Sequence, residues 1–269
     1  MSRISSTYQS LKQHNRTALI PFITAGDPSP QNTLEIMQAL VRHGADIIEL
    51  GVPFSDPMAD GPVIQRANER ALEQGISLSG VLDMVEQFRR SDTRTPVILM
   101  GYLNPIEIFG YEEFALRAEA AGIDGVIIVD LPPEEAAPLN RHLRDRQIDQ
   151  IFLVTPTTTE RRIESIAGIA SGFLYYVSVK GTTGGKGADP AGIKDRLRLV
   201  RQKTDLPVAV GFGIRDAGTA ARVADYCDAV VIGSALVEAI HAAVTAGDDI
   251  AAQVGSFLAP VRHTLDKAA

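Results

Sequence analysis

The sequence predicts an α/β fold, a closed (β/α)8 barrel of the TIM type, because three observations agree. Eight short apolar runs rich in β-branched residues recur along the chain, which is typical of strands buried on both faces. Amphipathic segments of helical length separate these runs, as the alternation of strand and helix in a barrel requires. The length of 269 residues is close to the roughly 250 typical of one such barrel, so we expect a single domain over residues 1–269.

The predicted strands and helices alternate from the first apolar run to the end of the chain. The strands are 18–24, 46–51, 96–101, 125–130, 150–155, 172–178, 207–211 and 229–233. The helices that follow them include 33–43, 112–121, 134–146, 160–170, 193–203, 216–226, 235–246 and one that begins at 249. An open doubly wound sheet more often has fewer strands, so eight of them favour a closed sheet.

Further segments modify this barrel. Residues 5–13 carry apolar side chains at helical spacing, which predicts a short amphipathic helix that caps one end. The second and sixth strands are followed by extended loops, 52–61 and 180–189, and an extra helix near 63–74 follows the first loop. Loops that follow barrel strands lie at the face where active sites occur, so both loops should border the reaction centre.

The composition excludes several classes of protein. The formal net charge of −7 argues against the broad basic surface that nucleic acids require. Cys227 is the single cysteine, so no disulfide forms within the chain and a zinc site built on cysteines is excluded. The sequence contains no run of about 18 apolar residues and no signal peptide, so we expect a cytoplasmic protein that does not enter a membrane.

Glu49 is the strongest candidate for a chemical role. In the second predicted strand, Ile48 and Leu50 would face the helices, whereas Glu49 and its alternate neighbours would face the barrel axis. A backbone donor or a lysine could satisfy such an acid structurally, but burying an ionisable group costs several kcal/mol. We therefore expect Glu49 to be functional.

Asp60 ends the loop after this strand and could meet Glu49 across the barrel mouth. Two carboxyl groups in different environments can divide the roles of acid and base. Taken alone, Asp56 and Asp60 are explained equally well by turn chemistry or by capping of the next helix. The pairing with Glu49 favours Asp60 over Asp56.

Other reactive side chains give weaker signals. The five histidines fall in the N-terminal segment or on predicted helices, so neither a histidine base nor a metal cluster is indicated. Cys227 precedes the last strand, at the end opposite the expected site, which favours a place in the core. Tyr175 and Tyr176 are neighbours in the sixth strand, so one faces the axis, and ordinary packing is the favoured explanation for them and for Tyr102.

Glycine-rich turns follow the last three strands, at 181–187, 211–213 and 233–234. Glycine lets backbone N–H groups approach an anion, and a helix N-terminus adds a favourable field. Barrels of this type build phosphate sites after their last strands, so we predict an anion site here with Ser234 as a donor. Lys180 offers a rival chemistry, a Schiff base with a carbonyl substrate, although its amine should stay protonated in a glycine-rich loop.

Several motifs resemble those of the tryptophan synthase alpha-chain family. The run IELGVPFSDPMADGP over residues 48–62 is similar to the family signature in length and in the spacing of its acids. Similarity extends over nearly all of the chain, in PFITAGDPS (21–29), VILMGYLNPI (97–106), VDLPPEE (129–135), YYVS (175–178), GFGI (211–214) and IGSALV (232–237). One departure is Gly-Thr-Thr-Gly at 181–184, where the family usually has Gly-Val-Thr-Gly, although the equivalent of Thr183 is kept. The Gly-Lys-Gly at 185–187 that follows bears on loop closure rather than on chemistry.

This resemblance implies a lyase that splits indole-3-glycerol phosphate into indole and glyceraldehyde 3-phosphate by a retro-aldol reaction in tryptophan biosynthesis. It implies that Glu49 acts as general acid and base, that Asp60 hydrogen-bonds the indole N–H, and that Tyr175 assists them. Residues implied around the indole are Phe22, Ile64, Met100, Tyr102, Ile127, Val129 and Leu153. Residues implied around the phosphate are Thr183, Gly184, Gly213, Gly233 and Ser234.

The resemblance also implies a protein partner. The family works as a complex, expected here as an α2β2 heterotetramer, in which indole passes through a tunnel to a beta chain that carries pyridoxal phosphate. No cofactor is expected in this chain itself. The loop residues expected at the contact surface are Pro53, Asp56, Asn104 and Pro132.

Three alternatives stay open on the sequence. The nearest is a standalone indole-3-glycerol-phosphate lyase of the same fold, which would not respond to a beta chain. A sugar-phosphate isomerase could use the same phosphate corner and would release no indole. A sensor of a phosphate ligand, without catalysis, would keep its output after Glu49→Gln.

Overall fold

Eight parallel strands form a closed barrel in residues 2–177, 190–211 and 213–267, the parts of the chain that this computed structural model describes. Each strand pairs with the next, and the last pairs with the first. The strands are β1 (Ala18–Thr24), β2 (Ile48–Gly51), β3 (Val97–Gly101), β4 (Gly125–Ile128), β5 (Asp149–Val154), β6 (Leu174–Val177), β7 (Val208–Gly211) and β8 (Ala229–Ile232). The predicted fold class and the existence of all eight strands are therefore confirmed.

Helices surround the barrel in the same described ranges. They are α1 (Arg3–Gln13), α2 (Pro30–Arg42), α3 (Pro62–Glu73), α4 (Leu78–Arg89), α5 (Leu103–Phe109), α6 (Tyr111–Ala121), α7 (Ala137–Asp145), α8 (Glu160–Ala167), α9 (Pro190–Arg201), α10 (Ala217–Ala224), α11 (Ser234–Ala246) and α12 (Ile250–Lys267). The start predicted at 134 for the fourth barrel helix is wrong, because Pro133–Glu135 form a 3-10 turn and α7 begins only at Ala137.

Two of these helices, α4 and α5, are absent from the sequence prediction. Ser77 caps α4 by accepting a hydrogen bond from the Gly80 N–H at 3.3 Å, and apolar residues line the buried face of this helix at helical spacing. Helix α4 returns the chain to β3, so α3 is the inserted helix. Helix α5 has seven residues, which is too short for a helical period to be recognised.

Side chains of each strand alternate between two cores. Ile47, just before β2, belongs to the core inside the barrel, whereas Ile48 and Leu50 belong to the core between barrel and helices. In β6, Tyr175 faces the interior and Tyr176 faces the helices. This alternation follows from the two-residue period of a strand, and it confirms the predicted inward direction of the odd-numbered positions of β2.

Helix α1 closes the barrel at the N-terminal ends of the strands. Ile4, Tyr8 and Leu11 belong to the interior core, and the Tyr8 ring lies 5.8 Å from the Phe173 ring between centroids. The predicted capping helix is therefore present. Because apolar side chains fill this end of the barrel, we expect the substrate site at the C-terminal ends of the strands.

We find no helix of membrane-spanning length and apolarity in the described ranges.

Candidate active site

A cavity of about 260 Å³ opens at the C-terminal ends of the strands. Its walls come from β1, β2, β3, β6 and β8, from the loops that follow β2, β7 and β8, and from helices α3 and α11. The lining residues are Phe22, Glu49, Asp60, Gly61, Ile64, Met100, Tyr175, Gly213, Ile214, Arg215, Val231, Gly233, Ser234, Ala235 and Glu238. The three residues expected to carry the chemistry thus meet at one cavity.

Glu49 projects from β2 into this cavity and is only 1% exposed. Its Oε2 atom is buried and has no hydrogen-bond partner among the described residues. Burial, and secondarily the negative charge of Asp60, raise the pKa of Glu49 to about 8. At neutral pH this side chain is therefore mainly a neutral acid that can give up a proton.

Asp60 has a different environment because two polar side chains, those of Tyr102 and Asn68, lie beside its carboxylate. The Tyr102 hydroxyl donates to Asp60 Oδ2 at 3.1 Å and accepts from the Ala59 N–H at 3.0 Å. Asn68, on α3, lines a small space together with Asp60 and Tyr102, and its amide also favours the ionised carboxylate. The pKa of Asp60 is raised overall, with burial as the largest cause, while the Tyr102 and Asn68 side chains act in the opposite direction by stabilising the ionised form. The site thus combines a neutral acid, Glu49, with a carboxylate, Asp60, whose charge is supported by two donors.

Tyr175 lies on the interior wall beside these acids. Burial raises its pKa well above the usual value, and the charges of Glu49 and Asp60 raise it further, so the phenol stays neutral. The Tyr175 ring occupies the space above Gly211 on β7, where a Cβ atom would lie 2.2 Å from the Tyr175 hydroxyl oxygen. Glycine at position 211 is therefore required for this position of the ring.

Most of the residues expected around an indole lie close together. Phe22, Ile64 and Met100 line the cavity, and Tyr102 and Val129 line a small adjoining space that shares those three residues. The other two expected residues, Ile127 and Leu153, belong to or pack against the interior core and do not line the cavity. Fewer apolar residues therefore line the space next to Glu49 and Asp60 than the family resemblance implies.

Backbone groups form another part of the cavity wall. Gly213 has a φ of +82°, which glycine adopts without strain, and Gly233 precedes the first turn of α11. Ser234 is the first residue of α11, so its N–H lies at the positive end of the helix. The expected residues Thr183 and Gly184, and the rival Lys180, lie outside the described residues.

Several residues at the site were missed by sequence reasoning. Arg215 and Glu238 line the cavity but have no motif that separates them from ordinary surface charges. Asn68 could have been found, because it is a polar residue on the buried face that α3 forms with Ile64 and Ala71. A buried polar residue in an apolar stripe indicates a specific hydrogen-bond partner.

The four residues expected to contact a partner differ in exposure. Asp56 and Asn104 are exposed, Pro132 is half-buried, and Pro53 is buried. Two apolar residues near the barrel mouth, Met58 and Ile108, are each 82% exposed.

The remaining reactive residues lie away from the cavity. The histidines lie on or at the ends of helices, and residues 2–177, 190–211 and 213–267 contain no group of three or more acidic, histidine or cysteine side chains suited to a metal. Cys227 is buried, its thiol contacts the Val223 carbonyl oxygen at 3.2 Å, and burial raises its pKa. As predicted, Cys227 belongs to the core.

Comparison with known proteins matches this chain to one family over nearly its whole length. The family model for the tryptophan synthase alpha chain matches residues 8–265. The tryptophan synthase alpha chains of Burkholderia cenocepacia and Methylococcus capsulatus are 54% and 52% identical, and each alignment covers at least 98% of both proteins. The crystal structure of the subunit from Legionella pneumophila has a TM-score of 0.93 at 46% identity, with 99% of both chains covered. The chain therefore belongs to the tryptophan synthase alpha chain family.

Proposed function

We propose that this chain cleaves indole-3-glycerol phosphate into indole and glyceraldehyde 3-phosphate as the alpha chain of a tryptophan synthase. One observation carries the proposal: Glu49, with a pKa raised to about 8, and Asp60, with two hydrogen-bond donors, line the same cavity. A neutral acid can deliver a proton, and a neighbouring carboxylate stabilises the positive charge that this proton creates.

Glu49 moves protons in both halves of the proposed reaction. Cleavage of the bond between indole C3 and the glycerol side chain requires a proton at C3, which neutral Glu49 donates. The carboxylate then takes the proton of the side-chain hydroxyl, and the electrons of that O–H bond form the aldehyde carbonyl. The electrons of the broken C–C bond return to the indole ring, so Glu49 ends protonated as it began.

Asp60 stabilises the protonated ring between these two steps. Protonation at C3 spreads positive charge to the ring nitrogen, and an anion that accepts the N–H hydrogen bond lowers the energy of this state. The Tyr102 and Asn68 hydrogen bonds favour the anion. The neutral Tyr175 hydroxyl, close to both acids, assists as a donor.

Binding uses the two other parts of the cavity wall. The apolar side chains Phe22, Ile64 and Met100 bury the flat indole group. Gly213 and the N-terminus of α11 at Ser234 bind the phosphate through backbone N–H groups. Thr183 and Gly184 are proposed as phosphate ligands on the family resemblance alone.

The proposed partner is a beta chain, in an α2β2 complex, at the mouth of the barrel. Pyridoxal phosphate would belong to that partner, and this chain would need no cofactor. The exposed side chains of Asp56, Met58, Asn104 and Ile108 support a contact surface there. A structure of the related enzyme from Mycobacterium tuberculosis, described as tryptophan synthase, includes a chain with a TM-score of 0.88 to this one at 33% identity.

Release of indole from indole-3-glycerol phosphate tests this function directly. We expect the purified chain to release indole and glyceraldehyde 3-phosphate in equal amounts, and we expect added beta chain to raise the rate strongly. A spectrophotometric assay of the aldehyde with a coupled dehydrogenase, run with and without beta chain, measures both. A rate that does not respond to the beta chain would favour the standalone lyase, and an isomerised phosphate without indole would favour the isomerase.

A substitution at Gly211 tests whether the position of Tyr175 matters. The Cβ atom of Gly211→Ala would lie 2.2 Å from the Tyr175 hydroxyl oxygen and 2.5 Å from Cζ, so the ring must move. We expect kcat/KM for indole release to fall roughly 10- to 100-fold, because displacing a positioned group by about 1 Å can cost that much. Overpacking should also lower the free energy of unfolding by about 1–3 kcal/mol.

Gly80→Ala is the matched control for this change. Gly80 lies in the first turn of α4, and the nearest atom to an added Cβ is the Ser77 hydroxyl oxygen at 3.8 Å. Ala is the better helix former, so this variant should keep full activity and stability. Equal kcat/KM in the two alanine variants would refute the required position of the Tyr175 ring.

A further inference from the structure

Helix α3, inserted after β2, is fixed firmly beside the cavity. Arg70 forms two parallel hydrogen bonds with Asp27, from Nε at 2.7 Å and from Nη2 at 2.8 Å, and Asp27 is buried in the loop after β1. Ile64 and Ala67 of the same helix form a small core with Phe22 of β1 and a residue of α11. The buried face of α3 therefore has one defined position against the barrel.

Asn68 lies on this buried face, one turn after Ile64, and is 3% exposed. It lines the same small space as Asp60 and Tyr102, and its amide lowers the pKa of the Asp60 carboxyl. An ionised carboxylate only accepts hydrogen bonds, so the group that Asn68 can offer to Asp60 is its NH2. Polar groups buried to this extent are costly unless they are paired, so this contact accounts for a polar residue in an apolar stripe.

Asp60 itself belongs to a loop whose preceding residues Met58 and Ala59 are exposed. Its carboxylate is held from outside this loop, by the Tyr102 hydroxyl on the β3 side and by Asn68 on α3. Gln65, also on α3, donates to the Asp60 carbonyl oxygen at 2.9 Å. Helix α3 therefore binds both the backbone and the side chain of Asp60.

We propose that Asn68 is a positioning residue, which holds the Asp60 carboxylate ionised and oriented toward the ring nitrogen of the substrate. The inference rests on the proposed function, since it assigns to Asn68 the support of the residue that stabilises the protonated indole. Asn68 acts through Asp60 and has no contact with reacting atoms. Arg70 and Asp27 contribute indirectly, because their ion pair holds α3 in place.

The charge balance around Asp60 supports this role. Burial raises the pKa of Asp60, and the hydrogen bonds from Tyr102 and Asn68 lower it. The other titratable side chains that line the cavity within the described ranges are those of Glu49, Tyr175, Arg215 and Glu238. Loss of the Asn68 donor should therefore raise the pKa of Asp60, so that a higher pH is needed to ionise it.

Asn68→Leu and Asn68→Ala, assayed for indole release, test the proposal. Leu keeps much of the volume and Ala avoids a steric clash, so agreement between the two separates the lost donor from a packing effect. We expect kcat/KM to fall roughly 10- to 100-fold, as for a lost hydrogen bond to a charged group, with the loss in kcat rather than KM. The acid limb of the pH profile should move to higher pH. Glu69→Ala, on the exposed face of α3, is the control and should behave as wild type.

A double-mutant cycle shows whether Asn68 acts through Asp60. In the Asp60→Asn background, Asn68→Leu should change kcat/KM by no more than about twofold, because the supported carboxylate is absent. Unchanged kcat/KM in both Asn68 variants, or an equal loss with and without the Asp60 carboxylate, would overturn the proposal.

A readout that needs no activity separates this inference from the proposed function. The carboxyl ¹³C resonance of Asp60, assigned by its absence in Asp60→Asn, should titrate at higher pH in Asn68→Leu than in the wild type. The same midpoint in both proteins overturns the role of Asn68. A wild-type protein that releases no indole while its Asn68 variant shows the shift would refute the proposed function and leave the positioning of Asp60 supported.

Discussion

We expect Glu49→Gln to lower the kcat of indole release by roughly a thousandfold or more. Gln keeps the size of the side chain, but its amide has no acidic proton to transfer to indole C3 and is not basic enough to take one from the substrate hydroxyl. Glu49 performs both transfers, and general acid–base catalysis of one step contributes about 10²- to 10⁴-fold. Substrate binding should change little, so single-turnover kinetics with saturating substrate measure the effect directly.

The folding stability of Glu49→Gln serves as the control. A raised pKa means that the fold holds a proton which the unfolded chain loses, so wild-type stability falls as pH rises between about 4.5 and 8. The fall approaches about 1.4 kcal/mol per pH unit, and the Gln variant lacks it. Denaturant unfolding of both proteins across this range should therefore show a stability difference that grows in favour of the variant. A variant that keeps more than about a tenth of the wild-type kcat, while folded, would contradict the role of Glu49.

Asp60→Asn should lower kcat by about 100- to 1,000-fold, the cost of removing one group that stabilises transition-state charge. The amide oxygen of the substituted side chain could still accept the indole N–H, so KM should rise much less than kcat falls. Steady-state kinetics with indole-3-glycerol phosphate separate the two effects. An increase in KM alone would mean that Asp60 binds the substrate without stabilising the protonated ring.

Asp56→Asn is the matched control for Asp60→Asn. Asp56 is in the same loop, but it is exposed, its carboxylate accepts from the Ser55 hydroxyl, and it does not line the cavity. The rate without beta chain should be unchanged in this variant. If both substitutions lower that rate equally, the effect comes from the loop as a whole and the specific role of Asp60 is refuted.

The sequence predicted the barrel and the direction of its strand side chains because both follow from simple periods. Apolar runs with helical segments between them led to the eight strands, and the two-residue period placed Glu49 inside and Ile48 outside. The two acids of the site could be paired before the fold was known, because Glu49 lies in the second strand and Asp60 ends the loop that follows it. The order of strands and helices likewise predicted that Ser234 lies where the helix after the eighth strand begins, and α11 begins at this residue.

Other features depend on contacts between distant parts of the chain, and no local pattern contains them. The hydrogen bond from Tyr102 to Asp60 joins residues 42 positions apart, whereas the sequence alone favours ordinary packing for Tyr102. Arg215 reaches the cavity from the loop after β7, and Glu238 reaches it from α11. The role of Gly211 depends on the ring of Tyr175 on the neighbouring strand. Helix α4 is a different case, because the helical spacing of its apolar residues is visible in the sequence. The sequence prediction nevertheless has only one helix between β2 and β3, the inserted helix α3.

Direct titration of Glu49 is the measurement closest to the central claim, that a buried carboxylic acid stays protonated at neutral pH opposite an anion. The ¹³C carboxyl resonance of Glu49, assigned by its loss in Glu49→Gln, reports the protonation state of this one group. The account predicts a midpoint near pH 8. A midpoint near 4.5, the ordinary value for a glutamate, would contradict it, because Glu49 would then be a carboxylate with no proton to give.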